Sequence, residues 1–184
     1  KKLTKIIKRN GRASAIHFGE IQDRIEYLCT KYGIDGIESP DITHQVIQRM
    51  YDGISSFELD TLTAEVCIAR SIEHPNFAKL ASAVIMNNHE KETDSFFSET
   101  VEKAFTQNFD IHGNVVPLVS KELHDIVIQH RDTIDSMIDY SRDYLIDYFG
   151  FNTLAKSYLI KITGKDCKTH LIERPQHMWM RVSI

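Results

Sequence analysis

Apolar residues recur every three or four positions through most of the chain, which is the spacing of amphipathic helices. One such run ends at Gly33, a residue type that commonly stops a helix. A second follows Ser39-Pro40-Asp41 and ends at Gly53. A third begins at Ser55, which has a glutamate three residues later, the spacing of a capping box. A fourth follows His74-Pro75, so four helices are predicted within roughly the first ninety residues, the size of one small domain.

A short basic segment precedes these helices and carries the pair Asn10-Gly11. This pair between two short runs of alternating residues is the strongest local signal for a β-hairpin, and both residue types tolerate the positive φ of a type I′ turn. The alternation predicts that Ile7 faces the helices and that Lys8 faces solvent. The segment is either an ordinary surface hairpin or an anion-binding lid in which Lys8 and Arg9 meet phosphate.

The second half of the chain is also predicted to be mainly helical. A fifth helix should start near Thr93 or Asp94, and residues 108–114 read as a domain boundary or a long turn. A further helix is predicted from Thr153 to about Lys161. The last helix starts at Pro175 and is apolar on nearly every side, so it needs a partner that buries it. We therefore expect the chain to be part of a longer protein.

Composition narrows the class of protein. With 184 residues and 42% hydrophobic residues, the chain can bury the core of one or two domains. Its net charge of −4 argues against a dedicated nucleic-acid binder. No apolar run approaches the roughly 20 residues of a membrane span, and no signal peptide is visible, so a soluble, cytoplasmic protein without a membrane partner is expected.

No catalytic or metal-binding motif is visible in the sequence. The nine histidines fall in no ligand spacing, and the three widely spaced cysteines resemble buried thiols rather than disulfides or zinc ligands. The segment Thr163-Gly164-Lys165-Asp166 resembles the end of a phosphate loop, but Leu159 stands where its first glycine should be and Asp166 where it requires Ser or Thr. Binding is therefore a better hypothesis than catalysis, and the basic hairpin is its best candidate.

The hairpin and the residues after it carry a family resemblance. Residues 7–12, followed by Phe18, Ile21, Arg24 and Ile25, resemble the ATP-cone, a regulatory nucleotide-binding domain of ribonucleotide reductases. Further motifs, in order along nearly the whole chain, resemble the N-terminal part of the class I large subunit in its eukaryotic-like form. These motifs are residues 55–62, 74–75, 89–93, 148–151, 157–159 and 173–183.

The resemblance implies a mostly α (α+β) fold. Residues 1–95 would be the ATP-cone, a four-helix bundle capped by a small β-hairpin or sheet, and residues 96–184 the helical start of a ten-stranded α/β-barrel domain. The parent enzyme would be a ribonucleoside-diphosphate reductase, in which a small subunit supplies the radical and large subunits form homo-oligomers. Its catalytic cysteines would lie beyond Ile184, so no catalytic residue is assigned and this chain alone is expected to be inactive.

The resemblance also implies an effector site for ATP or dATP, with Mg²⁺. Lys8, Arg9 and Lys91 would meet the phosphates. Asp60 would accept hydrogen bonds from the ribose or help to distinguish ATP from dATP, although its position also suits a carboxylate that stabilises a helix N-terminus. The remaining implied site residues are Ser14, Ala15, Ile16, His17, Phe18, Gly19, Glu20 and Ser56.

Three positions depart from the family pattern. Ser14 stands where the family usually has a Glu that reads adenine, Gly19 replaces a common Asp, and Glu20 replaces a phosphate-facing Lys. The alternative hypothesis is therefore a degenerate cone that binds no nucleotide and serves as a subunit-interaction surface. Some repressors also carry cones behind a zinc ribbon, but this sequence has no Cys-x-x-Cys pair.

Overall fold

The computed structural model describes residues 5–184, which are mostly helical with two small sheets. The chain divides into two compact units, Lys1–Asn88 and His89–Ile184. The mostly α fold class is confirmed, whereas the domain limits 1–95 and 96–184 stay a prediction. Within residues 5–184, none of the helices combines the length and apolar character needed to cross a membrane.

The sheet of the first unit consists of β1 (Lys5–Ile7), β2 (Ala13–Ala15) and β3 (Ile54–Ser55), in the order β2-β1-β3. β1 and β2 are antiparallel, and Ile6 lies opposite Ser14. β3 runs parallel to β1. A parallel neighbour requires a crossover connection, which here contains two helices. The crossover returns the chain beside β1 just before the third helix begins.

The hairpin forms, but its predicted type I′ turn is wrong. The backbone N–H of Gly11 donates to the carbonyl of Lys8 (2.8 Å), and the N–H of Lys8 donates to the carbonyl of Arg12 (2.9 Å). Gly11 has a φ of +76°, whereas Asn10 does not have a positive φ. This is a three-residue hairpin loop, in which a type I turn is followed by one residue in the left-handed conformation. The side chain of Asn10 instead accepts a hydrogen bond from the N–H of Arg12 (3.1 Å).

The inward face of the hairpin also differs from the prediction. Ile6 is 6% exposed and belongs to the core, while Ile7 is 43% exposed. Side chains alternate along a strand, so a shift of one residue moves the whole apolar face to the other side. The sequence offered two adjacent isoleucines, and the pairing with Ile54 of β3 selects Ile6.

Four helices lie wholly or partly in the first unit. They are α1 (Phe18–Tyr32) and α2 (Ser39–Arg49), which precede β3, and α3 (Ser56–Ala69) and α4 (Pro75–Glu92), which follow it. The boundary between the two units falls within α4. The predicted capping box of α3 is present, and Gly33 ends α1 with a φ of +60°. α2 ends at Arg49 rather than at Gly53. The core of this unit is built from apolar residues of all four helices and includes Ile21, Ile25, Leu28, Ile42, Val46, Val66, Leu80 and Val84.

The second unit contains both helices and a two-stranded sheet. Its elements after α4 are α5 (Phe97–Thr106), α6 (Lys121–Gln129), α7 (Arg131–Ser136), a 3₁₀ turn (Tyr140–Leu145), α8 (Tyr148–Ser157), β4 (Lys161–Thr163), β5 (Thr169–Leu171) and α9 (Pro175–Ser183). The predicted start of the last helix at Pro175 is confirmed. Residues from α5, α6, α7 and β4 pack into one apolar cluster with Ile172, which directly follows β5. The cluster includes Phe97, Val101, Val127, Ile162 and Ile172.

The helix predicted from Thr153 to Lys161 is displaced. α8 begins five residues earlier, because the Asp147 side chain accepts a hydrogen bond from the N–H of Gly150 (2.6 Å) and caps the helix. Lys161 instead starts β4, which pairs with β5 in antiparallel register. The sequence analysis missed this hairpin, whose turn places Cys167 at a positive φ of 60°.

Candidate functional site

A cluster of polar side chains in the first unit is centred on Asp60, in the second turn of α3. The Asp60 side chain is 7% exposed. Arg24 of α1 donates two hydrogen bonds to it, from Nε to Oδ1 (2.6 Å) and from Nη2 to Oδ2 (2.8 Å). This paired geometry is the strong form of an arginine–carboxylate contact. It links α1 to α3 through a nearly buried ion pair.

Arg9, in the loop of the hairpin, reaches the same cluster. Its Nη2 donates to Oδ1 of Asn88 (2.5 Å) and lies 3.5 Å from Oδ2 of Asp60. Asn88 is 1% exposed, and its amide nitrogen donates to the carbonyl of Phe57 (3.1 Å). The neighbouring Asn87 accepts a hydrogen bond from Arg24 (3.2 Å). The hairpin loop is therefore tied to α3 and to the part of α4 that lies in this unit.

Two guanidinium groups meet at this cluster. Those of Arg9 and Arg24 both lie within 3.5 Å of the Asp60 carboxylate. Both arginine side chains are about one-third exposed (32% and 29%), so both are accessible from solvent. Arginine is the residue type best suited to paired hydrogen bonding with phosphate. The cluster therefore contains the residue type that phosphate-binding sites commonly use.

Lys8 and Ser56 lie next to this cluster in the chain and in the sheet. Lys8 is exposed and begins the hairpin loop, directly before Arg9. Ser56 is the first residue of α3, and its hydroxyl donates to the carbonyl of Ile7 (3.4 Å). The parallel pairing of β1 with β3 thus brings the start of α3 beside the start of the basic loop.

The return strand leads directly into the start of α1. Ser14 and Ala15 belong to β2 and, with Ile16, are partly exposed. His17 is the N-cap residue of α1, and its side chain makes no capping hydrogen bond. The first turn of α1 contains Phe18, Gly19 and Glu20, which are all exposed, and no atom lies within 4 Å of a Cβ added at the glycine. An uncapped helix start presents backbone N–H groups to an anion, but Glu20 places a negative charge there.

Comparison with known proteins shows what nearly the whole chain is similar to. A family model described as the ATP cone domain matches residues 4–92. Ribonucleoside-diphosphate reductase large subunits from Danio rerio and Monkeypox virus are each 41% identical over 179 residues, or 97% of this chain. Nearly the whole chain is thus similar to ribonucleoside-diphosphate reductase large subunits. The subunit from Dictyostelium discoideum is 39% identical over 182 residues, and the chain spans 20% to 23% of the length of these three relatives.

Lys91 is the one predicted site residue of the ATP cone that falls outside the first unit. It is exposed and lies in the last turn of α4, beyond the unit boundary at Asn88. The cone site described above consists of first-unit residues only. The contribution of Lys91 to that site therefore stays a prediction.

Sequence reasoning did not assign Arg24, Asn87 or Asn88 to the ATP cone site. Arg24 entered only as part of the family resemblance, because an arginine on an amphipathic helix is most often a solvated charge. The two asparagines end an apolar stretch of α4, and a buried amide requires hydrogen-bond partners. The two adjacent asparagines could therefore have indicated a polar cluster at this point of α4. The sequence alone does not show which side chains they contact.

Proposed function

We propose that residues 1–95 form a regulatory domain that binds ATP and dATP and thereby controls a ribonucleoside-diphosphate reductase. The observation that carries this proposal is the match of residues 4–92 to the ATP cone domain, whose basic loop places Arg9 beside Arg24 and Asp60. A nucleoside triphosphate supplies the anion, and Mg²⁺ accompanies it.

Lys8 and Arg9 bind the phosphates in this proposal, and Lys91 completes the set. Each charge-assisted contact contributes about 1.5 to 3 kcal/mol, so two or three of them supply about 3 to 9 kcal/mol, and contacts to the nucleoside must add to this to offset the cost of ordering the ligand. Ser56, at the start of α3, adds a hydroxyl next to the loop. The uncapped start of α1 offers further donors to the phosphates.

The nucleoside lies along the return strand and the start of α1 in this proposal, over residues 14–20. Phe18 supports this placement, because it is 43% exposed and carries an aromatic ring that can pack against a base. Asp60 belongs to the site as its acidic component. Its side chain is nearly buried, and both carboxylate oxygens already accept hydrogen bonds from Arg24. A ribose hydroxyl that binds Asp60 directly would therefore share these oxygens with Arg24.

The activity of the parent protein follows from the relatives as a proposal. The large subunit would act with a radical-generating small subunit, form homo-oligomers of large subunits and work in the cytoplasm. Residues 96–184 would belong to the reductase barrel domain, and no residue of this chain is assigned to catalysis. The chain alone is expected to show no reductase activity with a small subunit and reductant.

A second candidate function is supported by Glu20, which puts a negative charge where phosphate would approach the start of α1. In that case the cone binds no nucleotide and acts as a surface between large subunits. Exposed aromatic residues of the first unit would supply such a surface; these are Phe18, Tyr27, Tyr51 and Phe57.

Titration calorimetry with ATP on single-lysine variants tests the phosphate assignment. Lys8→Ala and Lys91→Ala should each weaken binding about tenfold, because each removes one charge-assisted contact. The matched control is Lys79→Ala, an exposed lysine near the other end of α4, and it should bind as the wild type does.

Thermal unfolding of all three variants checks that the fold is intact. If both site variants bind ATP as tightly as Lys79→Ala, the phosphate assignment is wrong. If the folded wild-type chain binds no nucleotide, the interaction-surface function replaces the proposed one.

A further inference from the structure

We infer that Arg174 is a positioning residue for the effector site: it fixes the last turn of α4, the helix that holds the site residues Asn87 and Asn88. The inference rests on the proposed function, because it names a residue that regulates nucleotide affinity at that same site. Arg174 acts on the ligand through α4 rather than by touching it.

The side chain of Arg174 closes the end of α4. Arg174 is 6% exposed, and its Nη2 donates to the carbonyl oxygens of Glu90 (3.0 Å) and Thr93 (3.1 Å). Its Nε donates to the hydroxyl of Thr93 (2.9 Å). The last carbonyls of a helix have no partner within the helix, and a positive charge is favourable at that end. One buried guanidinium therefore satisfies two carbonyls at the end of α4.

The segment that carries Arg174 is itself anchored in the second unit by its neighbour Glu173, which is 0% exposed. The Glu173 carboxylate accepts two hydrogen bonds from Arg181 of α9 (2.6 and 3.1 Å) and one from the N–H of Ile160, which precedes β4 (2.8 Å). The backbone carbonyl of Glu173 accepts a hydrogen bond from Nε2 of His89, in the last turn of α4 (3.0 Å). Residues 173–174 thus tie that turn to α9 and to the start of β4.

α4 is one uninterrupted helix, and the residues just before this turn belong to the candidate site. The amide nitrogen of Asn88 donates to the carbonyl of Phe57, and Asn87 accepts a hydrogen bond from Arg24. Helical order is cooperative, so a frayed last turn weakens the order of the residues before it. Loss of Arg174 should therefore loosen Asn87 and Asn88. Because coupling between two sites is reciprocal, nucleotide binding should in turn order the end of α4.

The experiment combines hydrogen exchange with calorimetric titration of ATP, both on the full 184-residue chain. Without nucleotide, Arg174→Gln should speed amide exchange in residues 89–93 about tenfold, because the end of α4 loses its donors and frays. It should also weaken ATP binding about fivefold, at the low end of the usual range for coupled sites. The matched control is Arg142→Gln, at an arginine of the same unit whose side chain is 66% exposed, and it should change neither quantity.

A second comparison separates positioning from a general loss of stability. ATP should slow exchange in residues 89–93 of the wild type and have much less effect there in Arg174→Gln, which a variant that is only less stable would not show. Thr93→Ala removes one of the three acceptors of Arg174, so it should give smaller changes of the same sign. It provides the test if Arg174→Gln does not fold.

The possible results fall on different claims. Unchanged ATP affinity in Arg174→Gln, with the wild type binding ATP, overturns the inference and leaves the proposed function standing. Faster exchange throughout residues 97–183 also overturns it, since Arg174 would then support the whole second unit rather than the end of α4. Absence of ATP binding by the folded wild type overturns the proposed function and this inference together.

Discussion

At the scale of single residues, Glu20 is the residue whose charge most directly opposes phosphate binding at the proposed site. It lies in the first turn of α1, where a carboxylate stabilises the helix start but repels an approaching phosphate. The two effects oppose each other, so this residue sets a balance between stability and affinity.

Glu20→Lys should therefore bind ATP more tightly and fold less stably than the wild type. We expect about a tenfold gain in affinity, from one repulsion removed and one attraction added, and a loss of about 0.3 to 1 kcal/mol in the free energy of unfolding. Calorimetry and chemical denaturation measure the two quantities. Glu20→Gln serves as the control, which removes the repulsion alone and should give a smaller gain. Equal affinity in all three proteins would place Glu20 away from the phosphates.

Asp143, in the 3₁₀ turn of the second unit, is a buried carboxylate whose ionisation affects the stability of the fold. Its Oδ1 accepts a hydrogen bond from the N–H of Gln176 in the first turn of α9 (2.9 Å), while its Oδ2 has no hydrogen-bond partner within the described residues. Burial raises the pKa of Asp143 from 3.8 to about 6. The folded chain thus binds this proton more tightly than the unfolded chain does.

Because the folded pKa is the higher one, Asp143 lowers stability as the pH rises from about 4 to about 6. Asp143→Asn should be more stable than the wild type at pH 7 by up to about 3 kcal/mol, at about 1.36 kcal/mol per pKa unit. That advantage should disappear near pH 4, as measured by chemical denaturation across this range. Burial lowers the pKa of His177 to about 3, which affects both proteins alike.

The matched control for this measurement is Asp139→Asn, at the exposed carboxylate that precedes the same turn. Hydrogen bonds from Ser141 lower the pKa of Asp139, so removing its charge should reduce stability at pH 7 rather than increase it. A stability difference between Asp143→Asn and the wild type that stays constant from pH 4 to pH 7 would contradict the account of Asp143.

At the scale of elements, the two ends of α1 respond in opposite ways to the same substitution. Gly19 lies in the first turn without a positive φ and with open space around its Cα, while Gly33 ends the helix at a φ of +60°. Alanine suits the first conformation and is strained in the second.

Gly19→Ala should raise the free energy of unfolding by about 0.5 to 1 kcal/mol, and Gly33→Ala should lower it by about 1 kcal/mol or more. Thermal and chemical denaturation of the two variants measure the difference, and each variant is the control for the other. Changes of the same sign in both would show that one end of α1 is assigned incorrectly.

Elements whose signals are local could be predicted from the sequence. The capping box at Ser55 and the stop at Gly33 depend on neighbours within a few residues, and both are present. The inward face of β1 could not be predicted, because it depends on Ile54, which is distant in sequence. The β4–β5 hairpin was missed for a different reason. Each of its strands has three residues, which is too short for an alternation of apolar and polar residues to indicate a strand.

At the scale of the whole molecule, the candidate site was only partly predictable. Family resemblance supplied Lys8, Arg9 and Asp60, but not the contacts between them. The hydrogen bond from Arg9 to Asn88 joins residues 79 positions apart, and the pair of Arg24 with Asp60 spans 36. Contacts of this kind depend on how helices pack, which periodicity does not specify. The grouping of two arginines around Asp60 became visible only when these side chains were placed together.

The proposed function requires this chain to bind adenine nucleotides at the charged cluster around Asp60. The most direct test is calorimetric titration of the purified 184-residue chain with ATP and then dATP, in the presence of Mg²⁺, with light scattering to follow the mass. We expect micromolar binding of at least one nucleotide, and a change of mass with dATP alone would indicate an inhibitory switch. A folded chain that binds neither nucleotide would contradict the account and favour a cone that serves only as a subunit-interaction surface.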